Sequence, residues 1–141
     1  MSNIKIVTDS TLDLPKQILE ENDIIVVPLS ITIDGQSYVD GVDITPDEFI
    51  LKMKQSEELP KSSQPPAGQI LEVYNSLTAD GSEVISIHMT SKMSGTVQSA
   101  QTAAQMAEGK VTVIDSKYIS LGLAFQVLEA AKMGKEGKTS E

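Results

Sequence analysis

Apolar runs of strand length at residues 4–7, 24–33, 84–89 and 111–114 alternate along the chain with stretches whose apolar residues recur every three or four positions. A period near two suits a sheet and a period near 3.6 suits one face of a helix. The alternation therefore predicts an α/β domain built on a mostly parallel sheet flanked by helices on both faces. Pro15 suits a first helical turn, and the helix after it should run to about Asn22. Pro28 interrupts the second run and removes a backbone donor, which predicts an edge strand, a bulge or a strand start there. Asp34-Gly35 separates 31–33 from 36–39 and predicts a tight turn, hence a small β-hairpin insertion.

Further along, Thr45 and Glu48 have the spacing of a capping box, with Ile44 and Phe49 at staple positions, so a helix starts here and reaches about Lys54. Residues 59–66 read as a stiff loop whose prolines open another helix, with Ile70, Val73, Tyr74 and Leu77 on one face and Asp80-Gly81 at its end. The helix after the third run carries Val97, Ala100, Ala103, Ala104 and Ala107, a face small enough to lie close on a sheet. The last helix is expected to bury Leu121, Phe125, Leu128 and Ala131 and to stop at Gly134. Residues 135–141 then read as a turn leading into a new cap, a connection to something further.

Composition narrows the function classes. The chain has 141 residues, which fits one domain with a core that needs no disulfide or metal. It has no cysteine, so thiolate catalysis and sulfur ligation are excluded. The first seven residues hold no long apolar stretch, and nowhere do 18 apolar residues run together; a cytoplasmic location is expected. Eleven basic residues against twenty acidic ones give a net charge of -9, which argues against nucleic acid or an anionic membrane as the main partner. Every basic residue is a lysine. Without the planar fork of arginine, an anion site in this chain must use hydroxyls, backbone N–H groups or lysine.

The strongest chemical signal is the junction after the third run, Thr90-Ser91-Lys92-Met93-Ser94-Gly95-Thr96. A helix that starts after a strand leaves N–H groups unpaired at its positive end, where anions settle. Ser91, Ser94 and Thr96 offer hydroxyl donors, and Gly95 allows close backbone approach or a positive φ. Ordinary helix capping explains the same serines and threonines without a ligand. Ligands of open α/β sheets collect outside the carboxyl ends of the strands, so Asp9-Ser10-Thr11, the 91–96 junction and Asp115-Ser116 should share one rim, with the Ser62-Ser63-Gln64-Pro65 loop facing it. His88, the one histidine, should share a face with Val84 and Ser86 and reads as a satisfied structural group more than as the base of a Ser/His/Asp triad. Asp9 and Asp115 fit helix caps, or alternatively an acid-base or magnesium pair in an enzyme acting on a phosphorylated or acylated small molecule. No Walker-type loop, dinucleotide fingerprint or metal-ligand spacing is present.

Six short motifs in order, Lys5-Ile6-Val7-Thr8-Asp9-Ser10, Val27-Pro28-Leu29, Asp40-Gly41-Val42-Asp43-Ile44, Ser62-Ser63-Gln64-Pro65, Ser94-Gly95-Thr96 with Gln98-Ser99-Ala100, and Val113-Ile114-Asp115-Ser116, make the chain resemble the N-terminal domain of DegV family proteins. The resemblance implies a two-domain protein that holds a long-chain fatty acid such as palmitate between its domains. It also implies a role in lipid transport or fatty acid metabolism, in which the acyl carboxylate is presented to a fatty acid kinase partner, without catalysis or cofactor of its own. By that resemblance Ser62 and Ser94 would hold the carboxylate, with Gly95, Thr96, Ser63, Asp9 and Ser10 supporting the rim. Serine stands at 62 where the family usually has threonine, which keeps the donor and loses some χ1 stiffness. Residues 1–141 correspond to the first domain only, and the second, which supplies further head-group contacts and the opposite wall, is expected to be absent. Burying a palmitate-like tail contributes on the order of 10 kcal/mol at ~0.8 per methylene. Half a site is therefore expected to bind lipid weakly, and an open apolar face to favour self-association.

Overall fold

The computed structural model of the chain describes residues 3–141; Met1 and Ser2, the start of the N-terminal segment read above, lie outside them. The first apolar run forms β1 (Ile4–Asp9), and its alternation sends Ile6 to one face of a sheet and Val7 to the other. Beside it lie β2 (Ile24–Val27), β6 (Glu83–His88) and β7 (Val111–Asp115), in the order β2-β1-β6-β7 with every neighbouring pair parallel. Parallel pairing places all four carboxyl ends along one edge, as the predicted rim requires.

Helices cover both faces. On one side α3 (Ala67–Thr78) and α4 (Thr96–Met106) pack Ile70, Tyr74, Ala100 and Ala103 against Val7, Val27 and Val84. On the other, α5 (Leu121–Lys135) packs Leu123, Ala124, Val127 and Ala131 against Ile6, Ile24 and Ile87, joined by Leu12 and by Leu19 of the short α1 (Lys16–Glu21). The buried alanines of α4 form the close-packing face that the sequence predicts.

A second sheet, antiparallel with order β4-β3-β5, is formed by β3 (Ser30–Ile33), β4 (Gln36–Val39) and β5 (Lys61–Ser63). Its hairpin turns on Asp34 and Gly35, at φ 47 and 79, which is the two-residue geometry that Asp-Gly predicts. Then α2 (Pro46–Gln55) starts with both halves of the Thr45–Glu48 capping box formed. No residue of α2 is buried, although Ile44 before it is.

Four expectations need correcting. The run at 24–33 is two strands in two sheets, because Pro28 ends β2 at the sheet edge. The stiff loop at 59–66 contains β5, whose Ser62 pairs with Ile31; the polar run Lys61-Ser62-Ser63 gives no alternation from which a strand can be read. In α5 the buried positions are 123, 124, 127 and 131, while Leu121 and Phe125 are more than half exposed. That helix also runs through Gly134 to Lys135 and is closed off by Gly137, φ 79, where Lys138 N–H reaches the Met133 carbonyl and Gly137 N–H the Gly134 carbonyl.

Candidate functional site

Three strand ends are tied together at the rim by carboxylates. Asp9 is fully buried: one oxygen accepts from the N–H and hydroxyl of Thr11, at 3.0 and 2.6 Å, and the other from the N–H of Met89 at 2.9 Å and from His88 Nδ1 at 3.1 Å. Burial pushes its carboxyl up, but the hydrogen bonds from His88, Thr11 and Met89 outweigh that and hold it below the ordinary value. Asp115, at the end of β7, accepts from the hydroxyl of Ser91 at 2.5 Å and from the N–H of Lys117 at 2.9 Å. The Ser91 bond in particular lowers its carboxyl. The two carboxylates sit on strands separated by β6 and have separate sets of donors. Asp9, fully buried, has no exposed oxygen to offer a substrate beside Asp115.

Beneath the rim runs a buried chain of side chains. The Tyr74 hydroxyl donates to Ser86 Oγ at 2.7 Å, Ser86 Oγ meets His88 Nε2 at 2.7 Å, and His88 Nδ1 meets Asp9. When Ser86, receiving from Tyr74, gives its own proton to Nε2, the His88 Nδ1 proton is donated to Asp9. Burial pushes the Tyr74 hydroxyl up to about 12. His88 is thus the satisfied structural group that the sequence suggests, on the same face as Val84 and Ser86. Ser86 and Tyr74 were not foreseen as its partners; the Ser-x-His spacing on one strand face was the available signal. All four side chains are inaccessible, so this serine, histidine and aspartate meet no substrate.

The hydroxyls of the 91–96 junction divide their roles. Ser91 is committed to Asp115, and Thr96 is fully buried. Ser94, half-buried, accepts from Thr96 N–H at 3.2 Å and lies 2.8 Å from Thr96 Oγ1. When Thr96 donates in that pair, the Ser94 proton is left for a ligand. Gly95 has φ -78, so its conformation does not require glycine. Its close neighbour does: a Cβ at 95 would fall 2.4 to 2.7 Å from the side-chain amide of Gln64. The loop after β5 therefore lies directly against the start of α4.

In β5 itself Ser62 and Ser63 are exposed, and their side chains make no hydrogen bond among the described residues. Ser10, by contrast, uses its hydroxyl to accept from Leu29 N–H at 3.0 Å and thereby holds the link between the two sheets. Thr11 accepts at its carbonyl from the N–H of Ser120, which opens α5 with φ 55 and ψ -131, a region sparsely used by residues with a side chain. A separate cavity of about 760 Å³ lies between α1, β2 and segment 40–46, lined by Leu12, Leu14, Leu19, Val26 and Val42; Ser10 borders it, but Ser62 and Ser94 do not. Among the described residues no His, Asp or Glu cluster could hold a metal ion, and no helix is long and apolar enough to cross a membrane.

Comparison with known proteins identifies relatives of this arrangement. The family profile described as "Uncharacterised protein, DegV family" matches residues 3–141. A DegV domain-containing protein of Staphylococcus aureus is 53% identical over 137 residues, covering 96% of this chain and 49% of that protein. Among solved structures, a DegV family protein from Thermus thermophilus, described by its fatty acid binding, is 39% identical with a TM-score of 0.90 over 98% of this chain and 49% of that one. A stearic acid-binding protein from Eubacterium ventriosum is 35% identical, also with a TM-score of 0.90, over 99% of this chain and 50% of that one. The chain thus spans about half the length of the relatives it matches.

Proposed function

The chain belongs to the DegV family, and from that premise we propose that it forms one side of a binding site for a long-chain fatty acid, with the hydroxyls of Ser62 and Ser94 holding the carboxylate. The observation that carries this reading is the packing of Gln64 against Gly95, which brings the end of β5, with Ser62 on it, towards the helix start that follows Ser94. Thr96 orients the Ser94 hydroxyl from below, and Asp9 and Ser10 brace the rim. Ser63 is the next, equally exposed residue of β5. The solved relatives that are described as binding fatty acid, stearic acid among them, support the ligand class.

In this reading the protein is a carrier without chemistry of its own. It presents the acyl carboxylate to a separate fatty acid kinase in the cytoplasm. The enzyme alternative needs Asp9 and Asp115 to act together, and their separation by β6 and their saturation with donors weigh against it. A cation for the head group, and the second wall for the tail, would come from the half of the relatives' length that this chain does not span. Palmitate binding by the 141 residues alone is accordingly expected to be weak.

Native mass spectrometry of the purified chain with palmitate, for the original sequence and for Ser62→Ala and Ser94→Ala, tests the assignment. Removing one hydrogen bond to a charged group should weaken binding about tenfold. Unchanged binding in Ser94→Ala would remove that residue from the site.

A further inference from the structure

Resting on the reading above, we propose that Gln64 is a third head-group contact and the one that distinguishes a carboxylate from an uncharged head. Its amide lies flat on Gly95: the Oε1, Cδ and Nε2 atoms are 2.4, 2.7 and 2.7 Å from where a Cβ would stand. The glycine thus makes room for an amide, and Ser94 directly precedes that glycine, so the amide lies against the segment that carries Ser94. Gln64 precedes Pro65, which disfavours the helical region and keeps position 64 extended. In an extended segment residues two apart leave on the same side, so the Gln64 amide and the Ser62 hydroxyl face the same way.

What the amide offers is also open. Gln64 is exposed and its side chain makes no hydrogen bond among the described residues, while the Ser91 hydroxyl at the same rim is given to Asp115 and Thr96 is buried against Ser94. An amide brings two N–H donors, which can be given to a carboxylate oxygen. The chain has no arginine, and an N–H donated to an ionised oxygen is stronger than one donated to a neutral hydroxyl. Gln64 therefore favours the acid over the corresponding alcohol, whereas the hydroxyls of Ser62 and Ser94, able both to donate and to accept, serve either head group.

Nitrogen-proton correlation spectra of the chain titrated with sodium octanoate or with 1-octanol test this, since the Gln64 side-chain amide gives its own pair of signals. With octanoate that pair should shift together with the backbone signals of Ser94 and Gly95, and with octanol it should stay nearly still. Gln64→Ala should weaken octanoate about tenfold and octanol less than about twofold. Gly95→Ala, which evicts the amide while sparing every hydroxyl, should reproduce that pattern. If octanoate moves Ser94 and Gly95 but not the Gln64 amide, or if Gln64→Ala weakens both ligands equally, the role of Gln64 is overturned and the fatty-acid site stands. If octanoate moves none of the three, both fall.

Discussion

At the level of single residues, the arrangement is governed by which polar groups find partners. Asp9 satisfies four donors from a position without solvent, and its histidine is held from the other side by Ser86, which Tyr74 engages in turn. Breaking that chain at different links should cost different amounts. Tyr74→Phe keeps the shape and removes one buried hydrogen bond, so about 1 kcal/mol is expected. His88→Leu takes a donor from Asp9 and leaves the Ser86 proton without its acceptor, so the loss should reach about 3 kcal/mol. Urea unfolding of both variants checks the order; equal losses would mean that the chain does not act through Asp9. The histidine's face was legible in the sequence from strand alternation. Its partners were not, because Asp9 meets it across 79 positions of chain and Tyr74 arrives from a helix.

Among the elements, α5 shows how a correct helix is assigned a wrong face. Apolar residues occur nearly all round it, with 121, 123, 124, 125, 127 and 128 all hydrophobic, so periodicity admits more than one stripe. The sheet chooses between them: Leu123 and Val127 are fully buried, while Phe125 is 67% exposed. Leu123→Ala should therefore destabilise by about 2–5 kcal/mol, as a cavity in a packed core does. Phe125→Ser should stay within about 0.5 kcal/mol, as surface changes usually do. Thermal melts distinguish the two directly, and a large loss in Phe125→Ser would mean that this side of the helix is covered. β5 is the converse case, an element with no pattern of its own that exists because β3 offers it a partner.

Across the whole molecule, acid is the revealing variable. The lowered carboxyls of Asp9 and Asp115 bind their protons less readily when folded, so each contributes stability above the unfolded value near pH ~3.9 and loses it as the pH falls through the folded one. Asp115 is near the surface, where solvent screens its pairings, so Asp9 should dominate. Urea midpoints between pH 7 and pH 3 should be nearly level down to about pH 5 and then fall. Asp9→Asn should start lower at pH 7 and fall less between pH 5 and pH 3. Parallel curves for the two proteins would show that the acid sensitivity lies elsewhere.

The alternation of strands and helices apart from β5 and the split at Pro28, the parallel sheet with helices on both faces, the Asp-Gly hairpin and the capping box of α2 were determined by sequence alone, because period, turn chemistry and capping act over a few neighbouring residues. The shared rim followed from one step more, since parallel strands must end on the same edge. Only the tertiary structure decided which hydroxyls remain for a ligand. Ser91 and Ser10 are identical in kind to Ser94 and Ser62, and they are engaged because Asp115 and Leu29, from distant segments, come within about 3 Å of them. The same holds for Gly95, whose glycine answers to Gln64, 31 positions away, through a contact that no local pattern encodes.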